Sequence, residues 1–168
     1  MTISRRTLVA AAAAITLAAA AAAAATTCTA FAQATIKIGG IYELSGAGAS
    51  AGTNFKNGVV LAVKEINEAG GILGRKIEHS IADTQSNPGV AKGLTTQAID
   101  DGVFAVFGPV FSGSIMVSMA ETKRAETPNF TGGEAAAITK QGNPFVFRTS
   151  LPQDTAMLKE VLAPLGRK

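Results

Sequence analysis

The apolar run VFAVF at residues 103–107 constrains the fold of this chain more than any other stretch. Because the run contains no polar residue, a strand there has to be covered on both faces, as interior strands of parallel sheets are. Gly108 and Pro109 end this strand, and residues 112–114 (SGS) open a helical pattern over 115–125. The start of a helix presents unpaired N–H groups that favour an anion. Ligands of open α/β sheets bind at the carboxyl ends of the strands, so we expect Ser112 to lie in that crevice.

Strand-like and helix-like stretches alternate along the rest of the chain. The predicted strands cover residues 35–41, 77–82, 103–107, 127–130 and 145–148. The predicted helices cover residues 53–69, 88–101 and 115–125, a single turn at 135–139, and residues 152–162. This alternation predicts an α/β fold with three layers, in which helices cover both faces of a parallel sheet through right-handed crossovers.

Local signals indicate where two of these helices begin. Thr53 is expected to cap the first helix, after a small-residue segment over 43–52 that predicts a flexible loop. The apolar residues of that helix share one side: Val59, Val60, Ala62, Val63, Ile66 and Ala69. Asn87 precedes Pro88, and proline is favoured at the first position of a helix, so the second helix is expected to begin there.

The first 34 residues have the composition of an export signal. Arg5 and Arg6 precede an apolar run over 8–25, and Ala32-Gln33-Ala34 has the small-x-small form of a signal-peptidase site. We therefore predict a signal peptide over residues 1–34, cleaved after Ala34. Since residues 4–9 approximate a twin-arginine motif, both Sec and twin-arginine export stay open.

Residues 35–168 carry almost no net charge. The whole chain has 15 Lys and Arg against 12 Asp and Glu, and two of the arginines lie in the predicted signal, so 13 basic and 12 acidic residues remain. No basic run or aromatic-basic interleaving predicts a nucleic-acid partner. Cys28, the single cysteine, lies in the signal, and His79 is the only histidine. No disulfide, thiol site or metal cluster is therefore expected.

Two sequence motifs raise the question of whether the chain is a dinucleotide-binding enzyme or a hydrolase. Residues 46–51 have the G-x-G-x-x-A form of a dinucleotide-binding loop, but Asp83 lies much farther on than the roughly 20 residues expected for a ribose contact. For a hydrolase, Val110 stands where a nucleophile elbow needs glycine before Ser112, and His79 falls in the second strand. We therefore predict no catalysis and no cofactor. A Rossmann-type NAD-dependent oxidoreductase fragment is the alternative.

A second polar turn follows the fourth predicted strand. Residues 131–134 (TGGE) carry two bare glycines, which leave backbone N–H and C=O groups open to a ligand, and a carboxylate beside them. The ends of adjacent parallel strands lie at one edge of a sheet. With Ser112 at the neighbouring strand end, donors and acceptors would form a cradle that suits a zwitterion.

Four segments, in this order, resemble the periplasmic solute-binding proteins of ABC transporters, in particular the branch that binds leucine, isoleucine and valine. The segments are 36–40 with 44–46, 69–76, 82–88 and 108–113. The resemblance implies a type I periplasmic-binding fold with strand order 2-1-3-4-5 and two lobes that close on a small solute. It also implies a periplasmic location, a membrane permease as partner and a monomer when the protein is complete.

The resemblance also assigns roles to individual residues. The implied ligand-binding residues are Ser112, Gly132, Gly133, Glu134, Ser50, Ala51 and Phe111. Ser112 would hold the α-carboxylate, and the turn at 132–134 would contact the carboxylate and the ammonium group. The segment around Ser50 would flank the pocket for the ligand side chain. Glu134 stands where the leucine-binding pattern has threonine, and Ala51 where an aromatic can lie, so leucine itself is not implied as the ligand.

Residues 35–168 thus resemble the N-terminal lobe of such a protein, with the second lobe absent. The predicted function is the extracytoplasmic solute-binding component of an ABC uptake transporter, for an amino acid or a similar small carboxylate or amide. Besides the oxidoreductase fragment, a ligand-binding sensor domain on the same fold stays open as an alternative.

Overall fold

Five parallel strands form the sheet of residues 34–154, the part of the chain that the computed structural model describes. The strands are β1 (Ile36–Tyr42), β2 (Ile77–Asp83), β3 (Ala105–Phe107), β4 (Asn129–Thr131) and β5 (Val146–Arg148). The helices are α1 (Ala49–Glu68), α2 (Pro88–Asp100), α3 (Ser112–Arg124) and α4 (Ala137–Lys140). Residues 1–33 of the predicted signal, and residues 155–162 of the predicted last helix, lie outside the described residues. Between residues 34 and 154, no helix is both long and apolar enough to cross a membrane.

The strands follow the order β2-β1-β3-β4-β5, which confirms the predicted order 2-1-3-4-5. β1 lies between β2 and β3, with Gly39 opposite Ser80 on one side and Val106 on the other. All the pairings in this sheet are parallel. The carboxyl ends of the strands therefore share one edge, and the segments that follow β1, β3 and β4 lie side by side there.

α1 begins at Ala49 rather than near Thr53, because the preceding residues are wound into a turn. Gly46–Gly48 form a 3-10 turn that runs directly into the helix. The Gly48 amide donates a hydrogen bond to the Ser86 hydroxyl (2.9 Å), which fixes this turn against the segment after β2. The expectations of a loop up to residue 52 and of a Thr53 cap are therefore wrong.

The start of α2 confirms its sequence signal. Pro88 is the first helical residue, and the Asn87 side chain accepts hydrogen bonds from the amides of Gly89 (2.8 Å) and Val90 (3.2 Å). These bonds satisfy two of the N–H groups that the start of a helix leaves without partners.

The buried core lies on the face of the sheet that α2 and α3 cover. One cluster packs Ile41 and Val106 of the sheet against Ala98 of α2. A second cluster combines residues of α3, α4 and β5, namely Ile115, Met119, Ile138 and Val146. Val106 and Val146 are both aligned with Asn129 in the sheet, so the two clusters share one face.

α1 lies on the opposite face and leaves an apolar groove beside it. Phe107, Phe130 and Phe147, which are aligned across β3, β4 and β5, stack with ring centroids 5.1 and 5.2 Å apart. The first two of these rings, Phe104 and the apolar side of α1 line a cavity of about 1020 Å³. The sequence predicted that the run at 103–107 is covered on both faces. Phe104 is 70% exposed, so the described residues do not provide that cover. β3 itself begins only at Ala105.

Tyr42 and His79 form a polar pair between β1 and β2. The Tyr42 side chain is fully buried, and its hydroxyl oxygen lies 3.0 Å from His79 Nε2. Burial raises the pKa of Tyr42 and lowers the pKa of His79 from its ordinary value of 6.5. His79 is therefore neutral at physiological pH in the folded protein.

We expect the fold to lose stability as the pH falls below 6.5, because the unfolded chain binds a proton at His79 more readily than the folded chain does. The contribution of His79 is fully present above that pH. Urea denaturation of the wild-type chain and of His79→Gln, each at about pH 7.5 and about pH 5.5, measures it. The wild type should lose more stability on acidification than the variant. Equal losses would show that protonation of His79 is not linked to folding.

Candidate functional site

Segments that follow three adjacent strands, β1, β3 and β4, meet at the carboxyl edge of the sheet. The segment after β3 is tied to β4. The Gly108 amide donates to the Phe130 carbonyl (2.7 Å), and the Thr131 hydroxyl donates to the Pro109 carbonyl (2.8 Å). Gly108 has a φ of 93°, and a methyl group there would lie 2.0 Å from the Ile41 carbonyl oxygen, so glycine is required. The turn that leads to α3 is therefore held between β1 and β4.

Ser112 is the first residue of α3, but its hydroxyl does not cap that helix. Phe111 occupies the cap position, and Ser112 Oγ accepts a hydrogen bond from the Ala135 amide at 3.3 Å. The Ile115 amide donates to the Phe111 carbonyl, and within the described residues the amides of residues 112–114 have no partner. The start of α3 thus combines a hydroxyl proton with three free N–H groups.

The turn at 132–134 lies beside the start of α3. A methyl group on Gly133 would lie 3.3 Å from Ser112 Oγ and 2.2 Å from Ile115 Cδ1, so a side chain would keep the turn from approaching α3 this closely. The structure therefore brings together Ser112, Gly132, Gly133 and Glu134, four of the candidate residues. We call these four residues the strand-end site.

Fewer backbone groups of this turn are free than its glycines suggested. The two glycine amides make long hydrogen bonds of 3.4 Å, to the Pro109 carbonyl and the Thr131 hydroxyl. The Gly133 carbonyl accepts from the Ser150 hydroxyl (2.8 Å), and the Glu134 carbonyl accepts from the Gln153 amide (3.0 Å). Among residues 34–154, no hydrogen-bond partner is found for the carbonyl of residue 132 or for the amide and carboxylate of residue 134. One backbone donor, one backbone acceptor and one carboxylate thus remain for a ligand.

The N-terminal part of α1 lies close to the strand-end site through Phe55. Ser50 and Ala51 lie in the first turn of α1, not in a loop, and both are exposed. Within the described part of the chain they make no hydrogen bond to the strand-end site. Phe55 does reach it, because a methyl group on Gly132 would lie 3.2 Å from Phe55 Cδ2. Sequence reasoning missed Phe55. The available signal was its spacing of four residues from Ala51, which places both on one side of a helix.

Phe111 and a buried carboxylate connect the start of α1 with the start of α3. A methyl group on Gly48 would lie 2.9 Å from Phe111 Cζ, so the candidate residue Phe111 packs on the turn before α1. Glu43 is fully buried, and its carboxylate accepts hydrogen bonds from the amides of Val110 (2.9 Å) and Phe111 (3.3 Å). Sequence reasoning did not select Glu43. Its place directly after a buried strand, at the edge where ligands bind, was the available signal.

Asp83 is engaged by the segment that follows β1. Its carboxylate accepts hydrogen bonds from the Ser45 hydroxyl (2.6 Å) and from the amides of Leu44 and Gln85 (both 2.8 Å). These bonds, the one from the Ser45 hydroxyl above all, lower the pKa of Asp83. The acid that a dinucleotide site would use for a ribose is therefore already occupied. Across residues 34–154, no group of three or more His, Cys, Asp or Glu side chains is placed to hold a metal ion.

Comparison with known proteins identifies the family. The sequence pattern of the periplasmic binding proteins matches residues 35–165. The chain belongs to the periplasmic binding protein family. A curated member, the Leu/Ile/Val-binding protein BraC3 of Rhizobium johnstonii, is 38% identical over 119 residues, which cover 70% of this chain and 32% of that protein. The chain therefore spans about a third of the length of the curated relatives it matches.

Solved structures of periplasmic binding proteins share this fold. The branched-chain amino acid transporter substrate-binding protein LivJ of Streptococcus pneumoniae, in complex with isoleucine, matches with a TM-score of 0.69 and 34% identity, over 77% of this chain and 39% of that chain. An ABC-transporter solute-binding protein from R. palustris, in complex with 4-hydroxybenzoate, matches with a TM-score of 0.67 and 28% identity, over 80% of this chain and 37% of that chain. These matches confirm the predicted type I fold and the resemblance to the branched-chain amino acid branch. The oxidoreductase alternative is not favoured.

Proposed function

We propose that this chain supplies one wall of the ligand site of an extracytoplasmic solute-binding component of an ABC uptake transporter. The proposed ligand is a small carboxylate, an amino acid above all. One observation carries the proposal: the Ser112 hydroxyl and the free amides of residues 112–114 lie beside the turn at 132–134. A carboxylate placed there would accept hydrogen bonds from the hydroxyl and from the N–H groups, and it would face the positive end of α3.

The ligands of two relatives support a carboxylate site. The LivJ structure contains isoleucine, and the R. palustris structure contains 4-hydroxybenzoate. One molecule is an aliphatic zwitterion and the other an aromatic acid, but both carry a carboxylate. A common carboxylate position with a variable second position would account for both ligands.

Binding of L-leucine and of L-leucinol tests this proposal, because leucinol has a hydroxymethyl group in place of the carboxylate. Ligand-observed NMR with the chain should detect saturable binding of leucine or of 4-hydroxybenzoate, and none of leucinol. Leucinol binding as tight as leucine binding would overturn the proposed carboxylate site.

Glu134 supports an amino acid as the ligand. Its carboxylate is exposed and has no hydrogen-bond or ion-pair partner among residues 34–154, so a ligand ammonium could pair with it while the ligand carboxylate lies at Ser112. The proposal assigns the ammonium to Glu134 for this reason. An exposed pair of this kind contributes about 0.2–1 kcal/mol.

We expect Glu134→Gln to reduce the preference for L-leucine over its deaminated analogue 4-methylpentanoate by about fivefold or less, in line with an exposed ion pair. Affinity for the analogue should not fall, because the analogue has no ammonium group. Glu126→Gln, which changes another exposed glutamate, is the matched control and should leave the preference unchanged. Competition NMR with the two ligands measures the ratio. An unchanged ratio in Glu134→Gln would remove Glu134 from the ligand site.

The remaining parts of the proposal follow from family membership. Periplasmic binding proteins are solute-binding proteins of the periplasm, so export by the signal over residues 1–34 and a periplasmic location are proposed for this chain. A membrane permease is the proposed partner that receives the solute. Residues 35–168 are proposed as the first lobe of the solute-binding domain, and no catalytic role is assigned to any residue.

A further inference from the structure

We propose that Glu43 is a positioning residue for the strand-end site. Its buried carboxylate holds the backbone of Val110 and Phe111 where α3 begins, and in this way sets the position of Ser112. The inference rests on the proposed function, because it concerns the same ligand site.

The Glu43 side chain is enclosed by the fold, and its hydrogen bonds within residues 34–154 come from backbone amides. Its exposed fraction is 0%, Oε2 accepts from the Val110 amide at 2.9 Å, and Oε1 accepts from the Phe111 amide at 3.3 Å. Within the described residues it forms no ion pair. A buried carboxylate needs hydrogen bonds that replace the water it has lost. The two amides supply these bonds, so the carboxylate and the turn before α3 hold each other in place.

The start of α1 is shaped around the same residue. A methyl group on Gly48 would lie 2.8 Å from Glu43 Cβ and 3.0 Å from its Cγ. A methyl group on Gly52 would lie 2.0 Å from the Glu43 carbonyl oxygen. Gly48 and Gly52 therefore leave room for Glu43 under the first turn of α1, which carries the candidates Ser50 and Ala51.

Glu43 thus couples two parts of the site that are far apart in the sequence. Ser112 directly follows Phe111, whose carbonyl accepts a bond from the Ile115 amide at the start of α3. A shift of the bonded backbone would turn the Ser112 hydroxyl and the free amides away from the turn at 132–134. Glutamine cannot replace glutamate fully, because its NH₂ group would face one of the two backbone N–H groups.

Hydrogen exchange and ligand titration of the full chain test this role. We expect Glu43→Gln to speed amide exchange at Val110 or Phe111 by about tenfold, while the amides of β1 and β2 keep their protection. The dissociation constant for L-leucine should rise by about tenfold. Glu65→Gln, which changes an exposed glutamate of α1, is the control and should alter neither quantity.

A second variant keeps the test decisive if Glu43→Gln does not fold. Gly48→Ala preserves the carboxylate but crowds both the Glu43 side chain, 2.8 Å from its Cβ, and the Phe111 ring, 2.9 Å from its Cζ. The backbone at Gly48 has a φ of −91°, which alanine adopts without strain. The variant should give the same local loss of protection and the same weaker leucine binding. Gly58→Ala is its control, because nothing lies within 4 Å of a methyl group at that position.

The outcomes separate this inference from the proposed function. Failure of the wild-type chain to bind leucine would count against the proposed function for that solute, while the exchange at Val110 and Phe111 would still test the positioning role. Wild-type exchange at both amides in both variants would overturn the inference. Faster exchange spread equally over the sheet would also overturn it, because Glu43 would then act on general stability alone.

Discussion

Gly52→Ala is expected to destabilise the fold by about 3 kcal/mol or more, because α1 lies too close to Glu43 for a side chain at position 52. A methyl group there would lie 2.0 Å from the Glu43 carbonyl oxygen and 2.7 Å from its carbonyl carbon. Both are backbone atoms, so a rotamer change cannot relieve the overlap. The first turn of α1 would have to move away from β1, and Phe55 would move with it from the strand-end site.

Gly58→Ala, farther along the same helix, is the matched control. A methyl group at position 58 has nothing within 4 Å. Alanine favours helix more than glycine does, so we expect a gain of about 0.5–1 kcal/mol in the free energy of unfolding. Urea denaturation followed by circular dichroism measures both variants. Similar effects of the two substitutions would show that α1 does not pack on Glu43 as described.

Ser112→Ala is expected to weaken the binding of a carboxylate ligand by about 1–3 kcal/mol, which raises the dissociation constant roughly fivefold to 150-fold. The ligand would lose the hydroxyl donor, while the free amides of residues 112–114 would stay. Fold stability should change little, because the protein partner of the hydroxyl, the Ala135 amide, lies at 3.3 Å. A hydrogen bond of this length is weak.

Ser80→Ala is the control for this substitution. Ser80 Oγ also makes a hydrogen bond of 3.3 Å, to the Ile38 carbonyl, but it lies within β2 rather than at the strand ends. NMR titration with leucine and with 4-hydroxybenzoate compares the two variants. Weaker binding of both ligands in Ser112→Ala alone would agree with a shared carboxylate position. Unchanged binding of both would leave Ser112 with a structural role only.

The number of strands and the start of α2 could be predicted because their signals are local. The alternation of apolar strands with helical patterns identified five strands, and the order came from resemblance to a family. Asn87 and Pro88 act on neighbouring amides, so the sequence alone located that helix start. The start of α1 depends instead on Ser86 and Glu43, which contact Gly48 and Gly52 only in the folded chain. A propensity argument centred on Thr53 could not include those contacts.

The candidate site shows the same limit. The glycines at 132–134 suggested that the backbone groups of this turn are free. In the structure, Ser150 and Gln153 donate hydrogen bonds to two carbonyls of the turn. No residue near the turn in the sequence indicates these bonds. The adjacency of Ser112 and Gly133 could be anticipated from neighbouring strand ends. The role of Glu43 could not be anticipated in this way. A glutamate side chain that follows a strand can face solvent, or it can accept hydrogen bonds from two amides 67 and 68 positions away, and the sequence does not distinguish the two.

Backbone-amide NMR during titration of the chain with L-leucine tests most directly whether the strand-end site binds the solute carboxylate. We expect saturable shifts concentrated at residues 112–114 and 132–134. The dissociation constant should be about 1 mM rather than 1 μM, because the chain is proposed to supply one wall of the site. Shifts confined to the groove between α1 and β3, or micromolar binding that leaves residues 112–114 and 132–134 unchanged, would contradict this assignment.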